Sequence, residues 1–187
     1  MRKTLTLLII ILASNFVNAQ FIKEKLISAQ VGLGRTAPNR STDQVDDNGF
    51  FAQGELILKI ASWVEFRPYT GFIRTSTDGK DFFGNPSDEK AISKALLIGS
   101  KARLLVPIPG LSPYIEVGIG TSIGRFVTST TFDDIEKTGI IYHTPFTLGV
   151  VFGKKRKVDL GYSVYDQPSV KQIVGAFAVG ITFRLNN

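Results

Sequence analysis

Ala176-Phe177-Ala178-Val179-Gly180-Ile181-Thr182-Phe183-Arg184-Leu185 alternates without a break. Phe177, Val179, Ile181, Phe183 and Leu185 fall on one face; Ala176, Ala178, Gly180, Thr182 and Arg184 fall on the other. Side chains of a β-strand point alternately to opposite faces, so this period of two predicts a strand with one apolar and one small or polar surface. Wound as a helix, strict alternation would split the apolar residues between two opposite sides instead of gathering them on one.

The same pattern runs back through the chain. Val158, Leu160, Tyr162 and Val164 oppose Asp159, Gly161, Ser163 and Tyr165. Ile115, Val117, Ile119 and Ile123 oppose Glu116, Gly118, Gly120, Ser122 and Gly124. Leu96, Ile98, Ala102, Leu104 and Val106 oppose Gly99, Lys101 and Arg103, and Leu56, Leu58 and Ile60 oppose Gln53, Glu55 and Lys59. The reading gives eight strands: Leu26 to Arg35, Gly49 to Ile60, Trp63 to Ser76, Lys94 to Val106, Pro113 to Thr128, Gly139 to Gly153, Val158 to Asp166 and Ile173 to Leu185. Their connections alternate between long polar segments (Arg35 to Asn48, Thr77 to Ser93) and short turns (Ala61-Ser62, Pro107 to Ser112, Lys154 to Lys157). Long-short alternation is what an up-and-down barrel gives when its two rims face different compartments. Pro68 and Pro145 fall inside strands, where each removes a ladder hydrogen bond, so bulges are expected there.

Which face is outside follows from residue size. The polar face is crowded with Gly, Ala, Ser and Thr, which suits the narrow interior of an eight-stranded barrel. Its few charges carry both signs, which suits pairing within it. A soluble lipocalin-like carrier of a small hydrophobic ligand would invert the two faces and is the alternative. The fold class expected is therefore all-β: an eight-stranded antiparallel up-and-down transmembrane β-barrel.

Composition agrees. Of 187 residues, 43% are hydrophobic and 20% charged, too apolar for a disordered chain. With no cysteine there is no disulfide framework, thiolate metal site or cysteine nucleophile. The first residues read as a secretory signal: Arg2 and Lys3 form a charged start, Leu5 through Ala13 a short apolar stretch, and Ala19 closes a cleavage point before Gln20. The apolar stretch is shorter than the roughly 20 residues a spanning helix needs. Residues 1–19 are thus expected to be a signal peptide and 20–187 one barrel domain. Removing Arg2 and Lys3 lowers the formal charge from +6 to +4. The remaining cations are scattered, apart from Lys154-Lys155-Arg156-Lys157, which reads as a polar turn. No nucleic-acid partner is expected.

At the C-terminus, Gly180, Phe183 and Leu185 resemble the terminal signal of outer-membrane β-barrels, a glycine followed by hydrophobic residues at alternate positions. Ala178 stands where that signal prefers a polar residue, and Asn186-Asn187 trail past its usual end. Together with the strand pattern, the mature chain resembles the small outer-membrane β-barrel proteins, OmpA/OmpX-like in size. The resemblance implies a Gram-negative cell outer membrane reached by export to the periplasm. It also implies insertion by the barrel-assembly machinery and contact with outer-membrane lipid and lipopolysaccharide. It identifies no surface partner, because fold alone does not give function.

Aromatic placement fits two interfacial girdles: Trp63, Phe66, Tyr114, Phe152 and Phe183 toward the periplasm, and Phe50, Phe72, Phe126 and Tyr142 toward the outside. The single histidine, His143, is expected near the outer end of the sixth strand. Some outer-membrane barrels modify lipid A with a rim histidine and a serine two residues later. Here that position is Pro145, so no base and nucleophile follow from spacing, and no catalytic residue is expected. A lipid A-modifying enzyme is the second alternative. Loop acids (Asp43, Asp46, Asp47; Asp78, Asp81, Asp88, Glu89; Asp133, Asp134, Glu136) could hold cations that bridge to lipopolysaccharide, but none has calcium-loop spacing. Gly32-Gly34 and Gly118-Gly120 lie on strands with no helix following and are not nucleotide fingerprints. No cofactor or metal is expected.

The expected interior set is Glu55, Lys59, Glu65, Arg67, Lys101, Arg103, Glu116, Asp159 and Arg184. Short turns bring Glu55 opposite Arg67, or Lys59 opposite Glu65, and Arg103 opposite Glu116. Such pairing would plug the barrel, and the expected role is structural or surface-interacting, with no open pore.

Overall fold

The computed structural model describes residues 22–43, 47–80, 83–153 and 157–185. Residues 1–19, expected as a signal peptide, the expected cleavage point before Gln20, Asp46, Asp81, Lys154-Lys155-Arg156 and Asn186-Asn187 lie outside the described residues.

Eight antiparallel strands follow one another and close into a barrel by the pairing of the last with the first. They are β1 (Glu24–Pro38), β2 (Asp47–Lys59), β3 (Val64–Lys80), β4 (Pro86–Leu105), β5 (Leu111–Ser129), β6 (Asp134–Phe152), β7 (Val158–Gln167) and β8 (Gln172–Arg184). Closure gives every strand a neighbour on both sides, so the barrel has no edge strand. The ends of β2, β4 and β6 and the starts of β3, β5 and β7 lie at one end, the turn end. Residues 39–43, 83–85 and 130–133 lie at the other, the loop end, with the 3-10 turn Pro168–Val170.

β3, β4 and β6 run well beyond the expected limits at the loop end. Most of 77–93 and 134–138, expected as loop, is paired strand. Those segments are polar on the outward face, and the polar side chains hid the period of two. The wall therefore projects beyond the length a membrane requires, since about 9–11 tilted residues suffice to span.

The faces sort by parity. Val31, Leu33, Leu56, Ile98, Ile119, Leu148, Phe177, Val179 and Ile181 point outward. Ser28, Ser93, Ser122, Thr147 and Ser163 point in, with Glu55, Glu65, Arg67, Lys101, Arg103, Glu116 and Asp159. The turn-end half of the interior is charged. The loop-end half is apolar and aromatic, built on Phe51, Tyr69, Ile73, Leu97, Phe126, Ile141, Tyr165, Val170 and Val174. Two tyrosines lie flat inside because glycines leave room for them. A β-carbon on Gly99 or Gly120 would strike the Tyr69 hydroxyl, and one on Gly149 or Gly161 would strike that of Tyr114.

The prolines need no bulge, contrary to expectation. The β2–β3 ladder passes from Glu55↔Tyr69 to Leu58↔Phe66 without changing register, skipping the positions at Pro68 and Arg67. The β5–β6 ladder likewise skips from Val117↔Phe146 to Gly120↔His143 across Pro145. Both prolines remain in register with the strand on their other side. Each strand turns its missing N–H toward one neighbour, so the loss is confined to one short gap.

Aromatic placement is corrected at two residues. Phe50, Phe66, Phe72, Tyr142, Phe183 and Trp63 are exposed on the wall, but Tyr114 and Phe126 are buried in the interior. Both share parity with Glu116 and Ser122, and parity outweighs the general enrichment of aromatics at interfaces.

Candidate functional site: the barrel interior and its loop-end cover

Parity alone sends Glu55, Glu65, Arg67, Lys101, Arg103, Glu116 and Asp159 into the turn-end half, all buried. Arg103 stands opposite Glu116 in the β4–β5 register. Its Nε donates to Glu116 Oε1 at 2.7 Å and its Nη1 to Asp159 Oδ2 at 2.7 Å. Its guanidinium stacks on the Tyr114 ring, 3.4 Å from the centroid, while the Tyr114 hydroxyl donates to Asp159 Oδ1 at 2.5 Å. Lys101 Nζ bridges Glu55 at 2.7 Å and Glu116 at 2.8 Å. Arg67 is paired with Glu55 and lies 3.4 Å from Glu65, 3.6 Å from Glu116 and 3.8 Å from Asp159. Three cations are thus interleaved with four carboxylates. An ion taken from water is tolerated only when opposite charges and hydrogen bonds replace its hydration, and here each cation touches at least two carboxylates.

Lys59 and Arg184 are not part of this cluster, contrary to expectation. Lys59 pairs with Glu65 in backbone register, but its ammonium turns to Glu24 at 2.8 Å. Arg184 Nε reaches the other Glu24 oxygen at 2.8 Å. Both sit at the turn-end rim, where their long stems carry the charge to water.

Amide and hydroxyl side chains continue the network. Gln53 and Gln30 donate to Glu55 at 2.7 and 3.2 Å, and Tyr165 donates to Gln53 Oε1 at 2.7 Å. His143 lies midway along β6 rather than near its outer end, and it is fully buried. The strand begins at Asp134 rather than Gly139, so the histidine is deeper than its sequence position suggested. Tyr69 Oη is 2.5 Å from its Nε2, and Ser122 Oγ is 2.7 Å from its Nδ1. Gln167 Nε2 donates to Ser122 Oγ at 3.1 Å. Sequence reasoning missed Ser122 as a partner. The usable signal was shared inward parity: Ser122 and His143 are diagonal neighbours, one step off the Ser122↔Ile141 pair.

A serine beside a histidine is the start of a hydrolytic dyad, but this pair has neither access nor an orienting acid. Both residues are fully buried, and hydroxyls occupy both ring nitrogens. The geometry supports a hydrogen-bonded core element.

The loop end is covered from above. Val170, in the turn after β7, is fully buried in the barrel mouth, and Thr128 Oγ1 donates to its carbonyl at 2.6 Å. Gln172 Nε2 donates to the Val127 carbonyl at 2.5 Å. Glu89, near the start of β4, gathers two loops. The Thr42 hydroxyl donates to it at 2.8 Å, the Asp43 amide at 3.0 Å, and the Thr131 amide and hydroxyl at 2.9 Å each. Burial alone would push this carboxyl up, but those amides and hydroxyls outweigh it and hold it down at about 2. Ser87 donates to Asp43, and Lys171 pairs with Asp133. Of the loop acids, Glu89, Asp43 and Asp133 are thus engaged with the protein. Among the described residues no group of three His, Cys, Asp or Glu side chains converges.

At the turn end a cavity of about 20 Å³ is lined by Leu26, Glu65, Arg67, Arg103 and Asp159 among others. That is room for about one water molecule. Gly180 faces inward against Gln30 and Asp159. Phe183 and Leu185 project from the wall at the turn end, and the Leu185 amide donates to the Lys25 carbonyl at 3.4 Å.

No protein-family model matches the sequence, and no curated protein does. Solved structures match the fold. Neisserial surface protein A superimposes with a TM-score of 0.55 at 12% identity, over 86% of this chain and 97% of that one. The outer membrane protein OprG of Pseudomonas aeruginosa gives 0.51 at 12% identity, over 88% and 98%. The chain therefore has the architecture of small outer-membrane barrels.

Proposed function

We propose that the protein is an integral outer-membrane barrel with a structural or surface-interaction role, without an open pore and without enzymatic activity. The observation that carries this reading is the pairing of an apolar outer wall with a filled interior. Ile, Leu, Val and Phe side chains cover the middle of the outside, and a buried cluster of paired charges lies within. A soluble carrier needs the reverse, an apolar cavity inside and polar groups outside. The charged cluster fills one end and Val170 is buried in the mouth at the other, and the cavity lined by Glu65 and Asp159 has room for about one water.

On this reading the chain is exported by residues 1–19, and its mature N-terminus is Gln20. The assembly machinery then recognises Gly180, Phe183 and Leu185 and inserts the barrel. Its membrane partners are outer-leaflet lipid and lipopolysaccharide, and its loop end offers the surface for other contacts.

Fractionation tests the reading. The mature protein should sediment with outer membranes, require detergent, and migrate differently on gels before and after boiling, because a closed barrel resists unfolding. A monodisperse protein in detergent-free buffer would overturn it in favour of the soluble carrier. The enzyme reading has one observation in its favour, the Ser122–His143 contact, and intact-lipid mass spectrometry with and without the protein tests it directly.

A further inference from the structure

The outer wall carries a row of like charges that the ladder places side by side. Arg74 of β3 stands opposite Lys94 of β4, and Lys94 stands opposite Arg125 of β5. Neighbouring strands are about 4.8 Å apart. Like charges directly opposite one another in a sheet repel, so such a row needs an anion to be favourable. The protein supplies one only at the end: Glu136 pairs with Arg125 at 2.7 Å, and both are exposed. Among the described residues no ion pair includes Arg74 or Lys94.

The surroundings say what kind of anion fits. Two residues toward the turn end, the outward side chains are Phe72, Leu96 and Ile123, paired as Phe72↔Leu96 and Leu96↔Ile123. All three are exposed on the wall. Two residues toward the loop end lie Ser76, Ile92 and Val127, in the same register. A cationic row thus borders the apolar band on its loop side, while beyond it Ser76 is polar, Ile92 half-buried and Val127 buried. Such a strip matches a molecule with an anionic head and hydrocarbon tails lying against the wall. Guanidinium and ammonium donors suit phosphate oxygens, and the reduced water around Lys94 strengthens the attraction.

We propose that Arg74, Lys94 and Arg125 form a binding row for the phosphate headgroup of an outer-leaflet lipid, whose chains pack on Phe72, Leu96 and Ile123. This rests on the membrane placement proposed above and names the lipid chemistry that the wall selects. The phosphate competes with Glu136 for Arg125 and relieves the repulsion across Lys94.

The test uses the full mature protein in neutral detergent, with bis-phosphorylated lipid A and its dephosphorylated form as probes and native mass spectrometry as the readout. The wild type should prefer the phosphorylated probe by roughly tenfold or more, as expected for charge-assisted hydrogen bonds. The triple variant Arg74→Gln, Lys94→Gln, Arg125→Gln should lose that preference. A variant of equal charge change at the turn end, Lys23→Gln, Lys25→Gln, Lys157→Gln, should keep it. Lys94→Gln alone should raise the unfolding midpoint in lipid-free detergent and reduce the further rise on adding the phosphorylated probe. Equal binding of the two probes by the wild type, or an unchanged preference in the triple variant, overturns the proposal. Displacement by equimolar inorganic phosphate would assign the row to free phosphate and overturn the lipid. Gel mobility before and after boiling reports folding of every variant. Failure of the membrane reading itself would show separately, as a protein soluble without detergent.

Discussion

Arg103 and Glu116 face each other across β4 and β5, joined by a 2.7 Å hydrogen bond, and each is 1% exposed. Neither belongs to the other alone. Arg103 also holds Asp159, and Glu116 also holds Lys101. Arg103→Ala therefore leaves two carboxylates short of a partner. It should lower stability by about 3–5 kcal/mol, the usual cost of breaking a buried pair from one side. Adding Glu116→Ala should recover part of that loss, because Lys101 keeps Glu55 and Asp159 keeps Tyr114. Denaturant midpoints of the refolded protein in lipid vesicles give the comparison. Additive losses would mean that the pair is not coupled.

Glu89 predicts a pH response confined to the loop end. Its carboxyl titrates at about 2 in the folded protein, against an ordinary value of 4.5. A depressed pKa contributes stability that is fully present above the ordinary value and is lost as pH falls through the folded one. Between about pH 4.5 and about 2, the amides of Thr42, Asp43 and Thr131 should lose their partner. Amide chemical shifts should report this while the wall strands stay unchanged. Glu89→Gln should reproduce part of the change at neutral pH as faster proteolysis of 39–43 and 130–133.

His143 should matter for packing and not for chemistry. His143→Ala leaves the Tyr69 and Ser122 hydroxyls without their shared partner in a closed interior. A cost of about 1–3 kcal/mol is expected from the unsatisfied groups. Lipid A acylation should be the same with either form. A change in acyl composition that vanishes in a folded His143→Ala barrel would install the enzyme reading instead.

What the sequence disclosed, and what it hid, follows from the range of each signal. Parity is local, so Phe177, Val179 and Ile181 could be assigned to the wall, and Asp159 and Ser163 to the interior, from alternation alone. Arg103 and Glu116 were legible as neighbours because 106–110 is short and constrains the register. Lys59 and Arg184 obey the same parity but lie at strand ends, where a flexible stem decides the direction. The Glu89 clasp joins residues 42–47 positions apart across two loops, and no periodicity encodes that. Val170 in the barrel mouth was equally hidden, since its burial depends on how the connection folds back. Ser122 and His143 were each visible, and only the β5–β6 register makes them partners.

The central claim is a membrane barrel whose interior is filled, and conductance in planar lipid bilayers tests it most directly. The purified, refolded protein should show no steady current above the bare membrane. Arg103→Ala with Glu116→Ala should stay closed as well, because Arg67, Lys101 and the loop-end apolar residues still fill the bore. A reproducible nanosiemens-scale pore from the wild type would contradict the account.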